Sequence, residues 1–501
     1  MQALDLQSIT APCLVAFDLP LADSILNITE VIRVVPGKRL VCKAVWNGQL
    51  VYAKLFIGKE AKRYAHRDQQ GVQLLVQANI ATPDLLYAGS IEAGQVLLFK
   101  ALVSAKNAEL LYQQLIESPQ PSQTEKNAAR LRLVLQLTQV IAQLHNSDLQ
   151  QTDLHFKNFL INAGNVYTID GDGIHSFSPF FKKRQKYHNL ATFFSKMDAL
   201  DSGWIDQCYA RYCELTDTKY SVLDYSDIYL LAQKLRHKAA HSYADKKVFR
   251  TCTDVKVSQY FKQYTALRMD FAAKDISVQG LDEALSNTQN LLKSGNTCTV
   301  GKALVDNQPV VIKRYNIKNF WHGLKLGVSQ SRAAKSWANA HRLIILNIAT
   351  AKPLALFEVR LGWIRRRAYF LTDYIHAPDI AEFFTQINDI DTTEKVAHET
   401  ALLFYKLSLL QISHGDCKAS NIKIVDGKPV LIDLDSMQAH ATGWFGNWWF
   451  EKRHIKDLKR FMQNWENNPQ TSQLFKRAFV QVYDEIDDNR LPTILERAKI
   501  A

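Results

Sequence analysis

No stretch of this chain approaches the roughly 20 consecutive apolar residues that a membrane-spanning helix requires, so a helical channel or transporter is not expected. The seven cysteines, at positions 13, 42, 208, 213, 252, 298 and 417, include no Cys-x-x-Cys pair. That argues against a zinc site and against a disulfide scaffold, and reduced, mostly buried thiols are expected. No Lys or Arg precedes Arg33, so the charged region of a secretory signal is missing and a cytosolic protein is expected. Nor does any Pro/Gly/Ser-rich linker divide the 501 residues, although a chain this long, with ordinary apolar content, is expected to build two or more cores.

What is present centres on Ser413-His414-Gly415-Asp416-Cys417-Lys418-Ala419-Ser420-Asn421. The strand-like Pro429-Val430-Leu431-Ile432 follows, and then Asp433-Leu434-Asp435. An Asp, a Lys and an Asn at these offsets, then a short hairpin and a strand ending in Asp, form the pattern of a phosphoryl-transfer site. In such a site Asp416 accepts the proton of the attacking hydroxyl, Asn421 binds metal, and Asp433 holds Mg²⁺ against the phosphates of ATP. The pattern occurs twice. Thr152-Asp153-Leu154-His155-Phe156-Lys157-Asn158 leads through Asn162-Ala163-Gly164-Asn165 and Val166-Tyr167-Thr168-Ile169 to Asp170-Gly171-Asp172. Positions 416 and 153, 421 and 158, and 433 and 170 each lie 263 residues apart. Self-similarity at this period implies duplication, and the expected fold is α+β: two tandem protein-kinase-like bilobal domains, residues 1–272 and 273–501.

Upstream of each loop the order of elements also repeats. Val31–Val35, Leu40–Trp46 and Leu50–Phe56, with Asn47-Gly48 as the strongest hairpin signal, predict three antiparallel strands. Lys54 then stands where a strand lysine can reach the ATP phosphates. A helix is predicted over roughly 59–78, with Asp68 as partner for Lys54, and the nucleotide hinge is expected near 100–103. Residues 201 to about 272 read as mostly helical, and 270 to about 289 as a connection. In the second copy Lys313 corresponds to Lys54. The helix 331–346 closes at Asn347-Ile348-Ala349-Thr350, echoing Asn79-Ile80-Ala81-Thr82. Aligning these echoes puts Ser336 in the place of Asp68, so the second copy lacks the helix acid. Glu358 is the substitute to consider, beside the plainer reading of a strand-edge acid. Asp172 and Asp435 read as second metal ligands or loop caps. Each phosphate-covering turn has one glycine, so that feature is weak in both copies.

The net charge of +12 suits anionic partners without naming one. Basic residues lie beside aromatics at Phe180–Arg184, Lys313–Lys325, Trp363–Arg367 and Trp448–Arg453, a combination that fits a membrane interface as well as it fits solvated faces over core tryptophans.

Several segments resemble bacterial lipopolysaccharide core kinases: the early Pro-Gly-Lys-Arg, Ser331-Arg332-Ala333 with Trp337, Lys352 through Glu358, His-Gly-Asp-x-Lys and Asp-Leu-His-x-x-Asn. The resemblance implies kinase-fold enzymes that use ATP and Mg²⁺ to phosphorylate heptose or 3-deoxy-manno-octulosonic acid (Kdo) of the inner core. It implies a cytoplasmic enzyme, peripheral at the inner face of the inner membrane, with the core acceptor and an anionic membrane surface as partners and no nucleic acid. Lys313 and Lys54 would bind nucleotide, Asn421, Asp433, Asn158 and Asp170 would hold metal, and Asp416, Lys418 and Asp153 would be catalytic. The first copy departs from the pattern in having Gln151 for His414, His155 for Lys418, and Asn189 where the second copy has the loop-bracing Asp457. The second copy is therefore expected to be the better catalyst. A protein or small-molecule kinase, or a scaffold with one nucleotide-binding pseudokinase module, shares these residues. The sugar, the hydroxyl and the oligomeric state stay open.

Overall fold

The computed structural model describes residues 6, 9, 12–14, 16–117, 122–271, 276–295, 297–316, 330–362, 364–387, 389–484 and 491–500. Residues 317–325 of the cluster running to Lys325, and Trp363, fall outside them. The chain divides into two compact units, Met1–Met197 with Asp201–Leu235, and Asp198–Leu200 with Arg236–Ala501.

In the first unit, six described strands form an antiparallel sheet in the order Phe17–Pro20, Ile25–Val35, Arg39–Trp46, Gln49–Ile57, Gly94–Lys100, Leu85–Ile91. Asn47 and Gly48 both have positive φ (48° and 75°), as the tight hairpin signalled by the sequence requires. The strand carrying Lys54 is central, with Lys54 opposite Val41 on one side and Leu97 on the other. The helix Ala61–Gln77 ends where Asn79 takes the left-handed conformation, at φ 53°, and the Ile80 amide donates back to the Leu75 carbonyl. Asn is tolerated at such a cap because its short polar side chain offsets the cost of positive φ. The helical lobe is built on Gln123–Asn146, Lys182–Phe194 and Ile205–Leu215, and Leu137, Ile141, Phe193 and Tyr209 are among its fully buried side chains.

The second unit repeats this plan around a seven-stranded antiparallel sheet among the described residues, in the order Val255–Gln259, Gln263–Arg268, Pro353–Leu361, Ile364–Asp373, Gln308–Tyr315, Cys298–Val305, Leu291–Ser294. Lys313 lies opposite Val300 and Phe370, the same register that holds Lys54. The helix Arg332–Ile345 is capped by Asn347 at φ 55°, with the Ile348 amide on the Leu343 carbonyl. The shared Asn-Ile-Ala-Thr is thus a shared cap. Helices Ile390–Leu409, Trp444–Met462 and Pro469–Asp484 make the second helical lobe. Each unit is therefore α+β, with an antiparallel sheet lobe and a helical lobe.

Three sequence expectations differ from the structure. Residues 255–268 are not helical: they form a hairpin whose second strand pairs with Pro353–Leu361. The period-two pattern Val255-x-Val257 and the adjacent Tyr264 and Thr265 carried that signal. These strands join the second unit's sheet, so the division falls before 272, inside the helix Val222–Asp245. The expected connection after 270 contains the helix Val278–Ser286, which Ser277 caps through its side chain and which buries Leu281 and Leu285 on one face.

One contact in the first unit is intolerant of any side chain. A Cβ placed on Gly71 would lie 1.9 Å from the Gly171 carbonyl oxygen, because the helix backbone runs directly against the loop that follows Asp170. Gly71→Ala is expected to destabilise this unit by about 1–3 kcal/mol or more, read as an earlier midpoint in chemical denaturation. An unchanged midpoint would show that the loop yields freely.

Candidate active site

Alternate burial presents the catalytic loops. In the first unit Leu154 and Phe156 are fully buried in the helical-lobe core, so Asp153 and His155 between and beside them point away from it. Each large apolar side chain buried in this way contributes about 1.5–3 kcal/mol, which anchors the loop without using its polar residues. In the second unit Cys417 and Ala419 are the buried pair, flanking Lys418 and following Asp416. The loops then close alike. Asn158 Nδ2 donates to the Asp153 carbonyl (2.7 Å) and Asn421 Nδ2 to the Asp416 carbonyl (2.9 Å). The Ile169 and Ile432 amides donate to the carbonyls of those two asparagines. Each hairpin turns through two residues of positive φ, Ala163-Gly164 and Asp426-Gly427.

The acid after each hairpin is strained. Asp170 and Asp433 have φ of 72° and 59°, a left-handed backbone that costs a non-Gly residue roughly 1 kcal/mol or more. That the strain recurs at the same place in both units is an argument for function there.

In the first unit Lys54 Nζ lies 2.6 Å from Asp68 and 3.2 Å from Asp170, and Arg39 is 3.4 Å from Asp170. The expected helix partner of Lys54 is therefore in place, and Arg39 is a cation the sequence reading missed. Burial opposes ionisation of Asp170, but Lys54 and Arg39 outweigh it and hold the carboxyl below the usual range. Burial dominates at Asp68 and raises it. Val41, Phe99, Leu160 and Ile169, with Lys54 and Asp170, line a cavity of about 250 Å³, and Lys100 and Leu102 of the expected hinge border it.

In the second unit Lys313 Nζ is 2.6 Å from Asp433 and 2.9 Å from Asp435. These acids keep it charged: its pKa is raised although burial works the other way. The Asp435 carboxylate is bound by Lys313, Arg332, Ser336 and Tyr315. Asp172 is likewise taken, by Arg67 at 2.6 Å. Glu358 does not substitute for the missing helix acid: it is buried and binds Ser331, Arg360 and Arg365. Val300, Phe370 and Ile432 join Lys313, Asn421 and Asp433 around a cavity of about 300 Å³. Lys418 Nζ lies 3.6 Å from Asp416.

Departures in the first copy differ in consequence. Gln151 does the work of His414: Gln151 Nε2 donates to the Ile169 carbonyl (3.0 Å), as His414 Nε2 meets that of Ile432 (3.1 Å). The brace is weaker. Asp457 accepts from the His414 and Gly415 amides (2.7 and 2.9 Å), whereas Asn189 makes one bond to this loop, donating to the Gln151 carbonyl. At the lysine's place His155 lies 3.4 Å from Glu109, and burial, with Lys196 and Lys157 nearby, pushes it down to about 3. It is neutral at neutral pH.

The second unit also carries the decisive likeness. Residues 283–483 match the model of the Lipopolysaccharide kinase (Kdo/WaaP) family. The match covers 201 of the 501 residues. The match to a kinase family makes this region a phosphotransferase, and the matched family implies ATP as donor and a sugar of the lipopolysaccharide core as acceptor. Among solved structures the chain is similar to the crystal structure of a rhoptry kinase from Toxoplasma gondii, at 13% identity over 45% of this chain and 84% of that one, with a TM-score of 0.30. No curated protein matches the chain.

The donor set of the second unit suits Mg²⁺. Among the described residues no group of three or more His, Cys, Asp or Glu could hold a metal outright. Asn421 and Asp433 line one cavity, and two oxygen donors suit a hard cation that keeps its waters and binds substrate phosphates.

Proposed function

We propose that the second unit transfers the γ-phosphoryl group of ATP to a hydroxyl of an inner-core sugar of lipopolysaccharide, at the cytoplasmic face of the inner membrane. The observation that carries this is the convergence of Lys313, Asn421 and Asp433 on one cavity, in a region of a lipopolysaccharide kinase family. Asp416 orients the sugar hydroxyl and takes its proton as the oxygen bonds to the γ-phosphorus and the bond to the β–γ bridging oxygen breaks. Lys313 fixes the α- and β-phosphates, and Lys418 offsets charge on the group in transit. Asn421 and Asp433 would hold Mg²⁺, which supplies further positive charge at the phosphates when bound. Catalysis is then positioning and electrostatic stabilisation. The first unit, with Lys54, Asp153, Asn158 and Asp170 in the matching places, is a second nucleotide site that transfers slowly or not at all, because neutral His155 offers no charge. Mass spectrometry of the core oligosaccharide from cells with and without the gene tests the reading. Loss of one phosphate is expected, and an unchanged core would overturn it.

The membrane part of this reading rests on one patch. At the start of the helix Trp444–Met462, Trp444 and Phe445 are 76% and 71% exposed, and Trp448 and Trp449 are each 51% exposed. Lys452 lies over both of the last two rings. Exposed aromatics beside cations suit an anionic bilayer surface, where each cation contributes about 1 kcal/mol. The Trp363–Arg367 cluster is a poorer candidate, since Glu358 and Asp282 engage Arg365 and Arg367. No described helix is long and apolar enough to cross a membrane. Binding to anionic vesicles is expected to weaken with salt and to fall when the four aromatics become Ser. Equal binding to neutral vesicles, or none, would count against the patch.

A further inference from the structure

We infer that Asp435 is the positioning residue for Lys313, taking over from the opposite side of the site the task that Asp68 performs for Lys54. The inference rests on reading the second cavity as a nucleotide site, and it deepens that reading by naming what holds the lysine.

Three matched positions differ together between the units. Phe56, Tyr64 and Asp68 of the first correspond in sheet register and helix alignment to Tyr315, Arg332 and Ser336 of the second. In the first unit the acid sits on the helix, fully buried, and grips Lys54 at 2.6 Å. Asp172, two residues after the strained acid, is left to bind Arg67. In the second unit the helix acid is gone, and every substituted residue turns to Asp435. Ser336 Oγ donates to Asp435 Oδ1 (2.7 Å), as does the Tyr315 hydroxyl, while Arg332 Nη2 (2.8 Å) and Lys313 Nζ (2.9 Å) meet Oδ2. The Asp435 side chain is 7% exposed. With four donors on two oxygens its acceptor capacity is filled by protein. A carboxylate so bound is an orienting group rather than an open cation ligand, and it also ties the lysine to the helix through Arg332 and Ser336.

The wiring makes a prediction that a merely structural acid would not. Full-length protein is labelled with an ATP acyl-phosphate probe, which acylates lysines beside bound phosphates, and the Lys313 and Lys54 peptides are quantified separately by mass spectrometry. Asp435→Asn is expected to lower Lys313 labelling about tenfold, the scale of losing a charge-assisted bond, and to leave Lys54 labelling unchanged. Raising Mg²⁺ is expected not to restore it. The exchange Ser336→Asp with Asp435→Ser, which moves the acid onto the helix where the first unit has Asp68, is expected to recover most of the labelling. Where Asp435→Asn fails to fold, the exchanged variant decides. Undiminished Lys313 labelling in Asp435→Asn, recovery by Mg²⁺, or a folded exchange variant without recovery would each overturn the assignment. If the parent protein labels at Lys313 but phosphorylates no core acceptor, the proposed function fails while the wiring stands.

Discussion

Asp433→Asn is expected to reduce phosphoryl transfer by the second unit about 10³-fold. Removing a preorganised charge at the transferring group typically costs 10²–10³ for one contact, and here the proposed metal ligand is lost as well. Asn is the cleaner substitution because the position is left-handed, at φ 59°, and Asn accepts that backbone with little added strain whereas Ala does not. Asp433 is 34% exposed and builds none of the core, so the thermal transition is expected to stay put. Turnover is measured against Mg²⁺ concentration in full-length protein that also carries Asp153→Asn, which removes any contribution from the first unit. Full turnover with unaltered Mg²⁺ dependence would remove Asp433 from the metal site.

Asp416→Asn is expected to cost at least about 100-fold in kcat, and Asp153→Asn far less. The two loops share their anchoring and their asparagine closure, so the difference lies in charge. Near Asp416 stands Lys418, at 3.6 Å, and the loop backbone is gripped twice by Asp457. At the lysine's place in the first unit stands His155, held neutral by burial, and the brace is a single bond from Asn189. Comparing the two single variants under saturating ATP separates the units directly. A larger loss from Asp153→Asn would reverse the ranking of the two sites.

How legible these sites were depended on whether a residue's partner was local. The duplication, the Lys54 and Lys313 strands and the capped helices followed from spacing, from Asn47-Gly48 and from the repeated Asn-Ile-Ala-Thr, all of which act within a few residues. The hairpin 255–268 was missed because its partner strand, Pro353–Leu361, lies some 90 residues on, and short apolar alternation is ambiguous without it. The partners of Asp435 were hidden for a related reason. Its sequence neighbourhood matches that of Asp172, and only the fold reveals that Tyr315, Arg332 and Ser336, about 100 residues earlier, have been rebuilt around it. Arg39 was passed over because a charge beside a turn reads as solvated until the strand folds it toward Asp170.

The second unit's helix Arg332–Ile345 is fastened to the loop after Asp433 at both ends of their contact. Where the first unit brings two bare backbones together at Gly71 and Gly171, the second inserts Asn339, whose amide donates to the carbonyls of Leu434 and Met437 (both 3.0 Å). With Arg332 and Ser336 holding Asp435 farther along, rotating this helix outward would strand several buried polar groups at about 1–3 kcal/mol each. On–off control by swinging the helix, a common device in signalling kinases, would therefore carry an energetic cost in this unit that the bare Gly71–Gly171 contact does not impose on the first.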